Sequence, residues 1–182
     1  MSEANTRDII PSEKECMELL KKHNVPENIV KHSVKVKQFA LRIARRLKER
    51  GQKVDEKLVI AGALLHDLDK ADTLQCKKWK HGMKAYEELK KLGMHSVAEV
   101  VRKHVLESIL TGELKTIEEK IVYYADKRVR GDKIVSLEER FHYLAERYGL
   151  KDKEVMRIIE DSYEKVIELE KELLGWTEGK SL

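Results

Sequence analysis

Cysteine, proline and aromatic residues are all scarce in this chain of 182 residues: two cysteines, two prolines, and 5% Phe, Trp and Tyr together. Cys16 and Cys76 are too few and too isolated for a disulfide framework or a thiolate zinc site, which fits a reducing interior. With Pro11 and Pro26 as the only prolines, nine glycines and no low-complexity tract or internal repeat, nothing marks a linker. One domain is therefore expected, and a chain this long buries roughly 70% of its unfolded surface. The first ten residues carry Glu3 and Asp8 and lack an apolar core, so no signal peptide or membrane span is expected, and the predicted location is cytoplasmic.

Charge is abundant. Asp, Glu, Lys and Arg make up 38% of the chain, alternating in sign in segments such as Glu164-Lys165 and Glu170-Lys171-Glu172, as solvated helix faces do. The net charge of +4 is spread out, not gathered into a basic block with interleaved aromatics. That gives little support to nucleic-acid binding and favours a small phosphorylated ligand as partner.

Nearly every segment reads as helix and strand signals are absent, so the expected fold class is all-α, a single-domain helical bundle. Ser12 with Glu15, Thr116 with Glu119 and Ser136 with Glu139 have capping-box spacing. The predicted helices run over 12–23, 27–49, 55–68, 82–92, 95–105, 116–130, 137–148 and 152–174, with Gly51, Gly93, Gly131, Gly149 and Gly175 as stops. Residues 1–11 are expected to be a flexible N-terminus and 12–182 the domain. Its core spans about 28–130, and C-terminal helices 137–174 pack on it. The last helix, with Val155, Ile159, Val166 and Leu173 on one side, serves packing within the chain or a homodimer contact.

Polar residues of metal-ligand type fall on the apolar faces of these helices. His32 shares the stripe Ile29, Val36, Phe39, Ala40 and Ile43; His104 follows Val97, Val100 and Val101; Asp126 follows Val122 and Ala125. The run Leu58–Leu65 is apolar all round, marking a helix surrounded by others, and His66-Asp67 stands at its end. A single inward histidine is more often a hydrogen-bonded core residue than a ligand. A set on separate faces, with His81 at a helix start beside Gly82, is better explained by a shared site, since a buried carboxylate needs a cation or strong hydrogen bonds. Neighbours on a helix diverge by about 100°, but a helix end lets both members of the pair approach one ion from opposite flanks. His23, His95 and His142 lie in turns, at a helix start or off the apolar stripes and are left aside; Asp69 and Asp132 read as surface or turn residues. Lys70 can meet a substrate phosphate, and Lys127, Arg128 and Arg130 are further candidates, against the plainer role of a basic helix end. Trp79 and Tyr86 flank His81, as walls of the pocket or as ordinary packing.

The ordered pattern resembles the HD-domain superfamily of metal-dependent phosphohydrolases. Its parts are Lys31-His32-Ser33-Val34, then Ala61-Gly62-Ala63-Leu64-Leu65-His66-Asp67-Leu68-Asp69-Lys70, then Tyr124-Ala125-Asp126-Lys127. His81-Gly82 and Arg102-Lys103-His104 look like the two added histidines of the binuclear subgroup, here of the small, stand-alone HDIG type. The resemblance implies a first metal held by His32, His66, Asp67 and Asp126, and a second held by His81 and His104 with Asp67 bridging. It implies catalysis by a metal-bridging hydroxide, with Asp67 and Lys70 as catalytic residues. Two divalent ions are expected, their identity open among Fe, Mn, Co, Ni, Zn and Mg. The implied reaction is hydrolysis of a phosphate ester or anhydride of a nucleotide-like small molecule. The alternatives are a di-iron oxygenase of the same superfamily and a catalytically silent, metal-containing nucleotide sensor. Asp69 departs from the pattern by standing where the signature usually has glycine.

Overall fold

The computed structural model describes residues 8–71 and 81–175; Cys76 and Trp79 lie outside them. Helix α1 spans Glu13–Lys22, α2 Glu27–Glu49, α3 Glu56–Leu65, α4 Met83–Lys91, α5 His95–Arg102, α6 Ile117–Lys127, α7 Leu137–Arg147 and α8 Lys153–Leu174. Two single-turn 3₁₀ segments, Leu106–Ile109 and Gly149–Lys151, join them. The protein is an all-α bundle, as the periodicity predicts.

Side chains satisfy the orphan amides at the helix starts. The Ser12–Glu15 and Thr116–Glu119 boxes are both closed. Asp55 accepts from the amides of Lys57 and Leu58, and Asp152 from those of Glu154 and Val155. Ser136 makes only half of its box: it accepts from the Glu139 amide, but the Glu139 carboxylate turns to Arg130 at 3.3 Å.

The apolar helix α3 occupies the middle and packs against α1, α2, α5 and α6. Gly62 permits the α3–α5 crossing, because a Cβ there would lie 2.5 Å from Val100 Cγ1. The core has two parts: one gathers Val36, Phe39, Ile43, Tyr123, Tyr124 and the inner face of α8, the other Leu20, Leu64, Leu65, Leu89 and Val101. Helix α8 packs on α2, α6, α7 and both 3₁₀ segments. At the N-terminus the chain is already engaged from residue 8: the Ile9 amide donates to Gly93 O, and the Asp8 carboxylate accepts from the Ser96 amide.

Three helix ends differ from the expected ones, and each matters to the site. Helix α3 stops at Leu65, leaving His66 as its C-cap and Asp67 in the turn beyond. Helix α5 stops at Arg102, so His104 sits in the turn that follows. Helix α6 stops at Lys127, and residues 129–134 form a two-stranded antiparallel hairpin, β1 Val129–Arg130 and β2 Lys133–Ile134, so that Val129 and Arg130, expected to end the helix, are strand instead. Gly131, at φ +60°, opens its two-residue turn, supplying the positive φ that a tight hairpin demands.

Candidate metal centre

All six expected ligands converge at the C-terminal ends of α3, α5 and α6. His32 Nε2 lies 3.1 Å from Asp126 Oδ1, and His66 Nε2 lies 3.6 Å from the same oxygen. His81 Nε2 is 2.9 Å from Asp67 Oδ1 and 2.9 Å from His104 Nε2. These atoms form two triads with the donor spacing of a metal site, His32/His66/Asp126 and Asp67/His81/His104. Asp67 faces both: its Oδ2 is 3.6 Å from His66 Nε2, while its Oδ1 meets His81 and His104. The helix end before Asp67 allows this, as two consecutive residues inside a helix could not share one target.

Each imidazole is fixed through its Nδ1, leaving Nε2 to point inward. Nδ1–H donates to Gly131 O from His32 (2.9 Å), to Ala63 O from His66 (2.8 Å) and to Val101 O from His104 (2.6 Å). The remaining partner is Asp69, whose Oδ1 takes His81 Nδ1 at 2.9 Å and whose Oδ2 takes the Ala85 amide at 3.2 Å. Such anchoring sets tautomer and ring direction in metal-ligating histidines. It also corrects two expectations. Asp69 stands in a turn, as one of the two readings had it, but is only 2% exposed and not at the surface, and the hairpin whose first strand was read as the end of a helix supplies, through Gly131, the carbonyl that holds His32. A two-residue Gly-Asp turn between Val129-Arg130 and Lys133-Ile134 is the sequence signal for that hairpin.

Electrostatics favour the ligating protonation states of Asp67, Asp126 and His104, and in the absence of a cation work against those of His66 and His81. Burial works against the Asp67 carboxylate, but the charge of His66, the adjoining His104 and His81 rings, and Lys70 hold its pKa well below the usual range. Burial likewise opposes Asp126, and Lys127, His32 and His66 outweigh it. Burial drives His104 down to about 4, so its ring is neutral. His66 and His81 also feel burial, yet the carboxylates around them raise both. His66 Nε2 is buried without a hydrogen-bond partner. An orphaned imidazole nitrogen among low-pKa carboxylates is suited to a cation, and mixed imidazole and carboxylate donors suit divalent first-row metals.

Of the expected substrate contacts, Lys70 and Lys127 line the cleft over the triads, a space of about 860 Å³. Lys70 Nζ lies 3.5 Å from Asp67 Oδ1. Lys127 is committed: its buried ammonium donates to Asp126 Oδ2 (2.7 Å) and to His104 O (2.8 Å). Arg128 turns away from the cleft because it caps α6 and bonds Val135 O and Glu170. Arg130, on β1, pairs with Glu139 and covers the Tyr143 ring outside the lining. Tyr86 packs under Lys90 and Arg102 and does not wall the cleft. Asp132 is exposed at the hairpin turn; His23 and His142 pair with Glu88 and Glu146, away from the triads. Arg140, Tyr143, Arg147 and Tyr148, on or just after α7, also line the cleft. None of them was expected there, since the candidates drawn from the sequence end at Arg130.

The HD domain family matches residues 29–131, which hold all six triad residues. An uncharacterized protein of Methanocaldococcus jannaschii is 31% identical over 73% of this chain and 85% of its own length. Two proteins named tRNA (cytidine(56)-2'-O)-methyltransferase are also similar. That of Thermoplasma volcanium is 30% identical over 90% of this chain, and that of Picrophilus torridus 32% over 71%. The alignments take in 47% and 40% of those methyltransferases, so this chain spans less than half of either. Among solved structures, a predicted HD superfamily hydrolase from an uncultured Thermotogales bacterium superposes with a TM-score of 0.51 at 20% identity, covering 88% of this chain and 90% of that one. Similarity at that identity speaks for the fold, and the fold agrees with the sequence match. The chain belongs to the HD-domain superfamily.

Proposed function

We propose that this protein is a metal-dependent phosphohydrolase that cleaves a phosphate ester or anhydride of a nucleotide-like small molecule. The observation that carries the reading is the double triad, with four imidazoles anchored through Nδ1 and Asp67 presenting one oxygen to each side. His32, His66 and Asp126 would hold one divalent cation and His81 and His104 a second, with Asp67 shared between them. Cations so held polarise a phosphoryl group and make a nearby water easier to deprotonate. The chain's own part is to keep that centre rigid and to match the substrate's charge. Lys70, beside Asp67 on the cleft wall, stabilises the phosphate as negative charge moves to the leaving oxygen.

Phosphate release from nucleotides, dinucleoside polyphosphates and phosphomonoesters, with manganese, iron, cobalt, nickel or magnesium added in turn, tests the reading. Turnover with at least one pair is expected, abolished by Asp67→Ala. No turnover with any pair, or turnover indifferent to Asp67→Ala, overturns it. Oxygen uptake by iron-loaded protein without phosphate release would point instead to dioxygen chemistry at the same ligands.

The likeness to two tRNA methyltransferases supports a second reading, in which the nucleotide belongs to tRNA or is released from it. Methyl transfer itself gains no support, since more than half of each methyltransferase lies outside the alignment. Tritium transfer from S-adenosylmethionine to tRNA is expected to be nil. A phosphatase preference for RNA ends over free nucleotides would favour the second reading over the first.

A further inference from the structure

The cleft is lined by five Lys and Arg side chains, and three of them are already matched. Arg102 binds Glu113 at 2.7 Å, Lys127 binds Asp126, and Lys70 stands over Asp67. The other two, Arg140 and Arg147, come from α7, beyond the residues that match the family. Arg140 approaches Asp126 Oδ1 only to 4.0 Å, an oxygen that His32 already engages at 3.1 Å. Its Nε is buried with no hydrogen-bond partner. No carboxylate among the described residues lies within ion-pair distance of Arg147. A guanidinium that is 14% exposed, with a buried Nε–H unused and one long ion pair, stands at the mouth of a metal-type site with donors to spare, and phosphate oxygens match its fork geometry.

Positions 140, 143, 144 and 147 fall on one face of α7, and that face lines the cleft. Tyr143 lies under both arginines, with guanidinium carbons 5.7 and 5.8 Å from its ring centre. Tyr148, 44% exposed at the rim, has Arg147 at 5.6 Å from its ring. Seven residues of helix span about 10 Å, enough for a phosphate at one end and a planar base at the other. Aromatic rings and guanidinium planes accept any nucleobase by stacking.

We propose that this face of α7 is the substrate-recognition wall for a nucleoside monophosphate moiety, free or at the end of an RNA. Arg140 binds the phosphate beside the metal ligands, and Arg147 with Tyr148 stacks the base at the rim. The proposal rests on the phosphohydrolase reading for its chemistry, but its binding geometry is separable from turnover. Arg140 acts as a specificity residue: it rewards a phosphate in the cleft and does nothing for a neutral nucleoside.

Calorimetry on full-length, manganese-loaded protein tests it, using adenosine and the phosphonate analogue of AMP whose ester oxygen is replaced by CH₂. Wild type should bind the phosphonate. Arg140→Gln should weaken that binding roughly 10- to 100-fold while leaving adenosine unchanged. Arg140→Lys, which keeps the charge without the fork and guards against a folding defect in the glutamine variant, should fall between. Tyr148→Ala should weaken both ligands equally, and UMP and GMP phosphonates should bind about as well as the adenine compound. The proposal is overturned if wild type fails to bind the phosphonate at millimolar concentration, or if both Arg140 variants leave its binding unchanged. An equal loss of adenosine and phosphonate affinity on Arg140→Lys overturns it too. Arg140-dependent binding without hydrolysis of any nucleotide retires the phosphohydrolase reading and leaves the recognition wall standing. Arg140-dependent binding of a 5'-phosphorylated oligoribonucleotide more tightly than of the phosphonate would assign the moiety to an RNA end.

Discussion

Replacing Asp69 with asparagine removes a charge and one acceptor while changing almost nothing in shape. The carboxylate uses both oxygens: Oδ1 for His81 Nδ1 at 2.9 Å and Oδ2 for the Ala85 amide at 3.2 Å. An amide has a single oxygen, so one of two buried donors must face an NH₂ group. If the oxygen stays with Ala85, His81 loses the contact that directs its Nε2 toward Asp67 Oδ1. If it stays with His81, the Ala85 amide is orphaned. Leaving a buried donor unsatisfied costs about 1–3 kcal/mol. Loss of such an outer partner usually lowers metal affinity roughly 10- to 100-fold, or about 1.4–2.7 kcal/mol at 1.36 kcal/mol per decade. The effect should be confined to one half of the centre, because the Asp69 carboxylate bonds His81 and the Ala85 amide, on the side away from His32, His66 and Asp126. Cobalt titration followed by visible absorption and calorimetry should show two binding events in wild type. In Asp69→Asn the weaker event should move to higher metal concentration while the other stays in place. Both events unchanged would show that Asp69 does not orient His81; both shifted equally would show that the triads do not bind separately.

Other consequences follow from single contacts. Gly62→Ala should lower stability to urea by about 1–2 kcal/mol: overpacking against Val100 costs ~1–3 kcal/mol, and the gain in helix propensity returns about 0.5–1. An unchanged or higher denaturation midpoint would refute that close approach of α3 and α5. Chelator should lower the melting temperature of the purified protein, and re-added manganese should raise it in a concentration-dependent way, about 2.7 kcal/mol of stabilisation being expected at 100 times Kd. A melting temperature blind to both would count against a resident metal. Burial pushes the Cys16 thiol up to about 12. Above the unfolded value of 9.0 the unfolded chain therefore releases a proton that the folded one keeps, and stability falls as pH rises from there. Below that window Cys16 should resist iodoacetamide in the native protein at pH 8 and label fully in denaturant, read by peptide mass spectrometry; rapid native labelling would contradict its burial.

How much of this was legible in the sequence depends on what each signal needed. The eight helices rest on three- and four-residue apolar spacing and on local caps such as Ser12 and Thr116, which are properties of short windows, so they lay within two or three residues of their predicted bounds. The six converging residues were legible for a related reason: a histidine or carboxylate on an apolar stripe is costly unless something compensates it, and that cost can be read position by position. What escaped was long-range or depended on where a helix stops. Asp69 looked like a turn residue because its value lies in two contacts, His81 and Ala85, that appear only when α4 folds back over the end of α3. The hairpin was hidden by four strand residues too few to show alternation, although Gly131-Asp132 marked the turn.

Arg140 and Arg128 show the same limit from opposite sides. Both are arginines near helix ends, and proximity to Asp126 in sequence favoured Arg128, which stands in the basic run Lys127-Arg128-Val129-Arg130. Helix α6 ends at Lys127, however, which sends Arg128 toward Val135 and Glu170. The hairpin then turns the chain so that α7 brings Arg140 to within 4.0 Å of Asp126 from fourteen positions away. The same two-stranded turn thus holds His32 through Gly131 O and leads into the helix that carries Arg140 and Arg147 to the cleft. Shortening it by deleting Asp132 should consequently disturb two functions at once, metal affinity at the His32 triad and phosphonate binding through Arg140. Asp69→Asn should touch only the His81 side of the metal centre. If the deletion altered metal affinity and left phosphonate affinity intact, α7 would have to be positioned by α8 and the core alone.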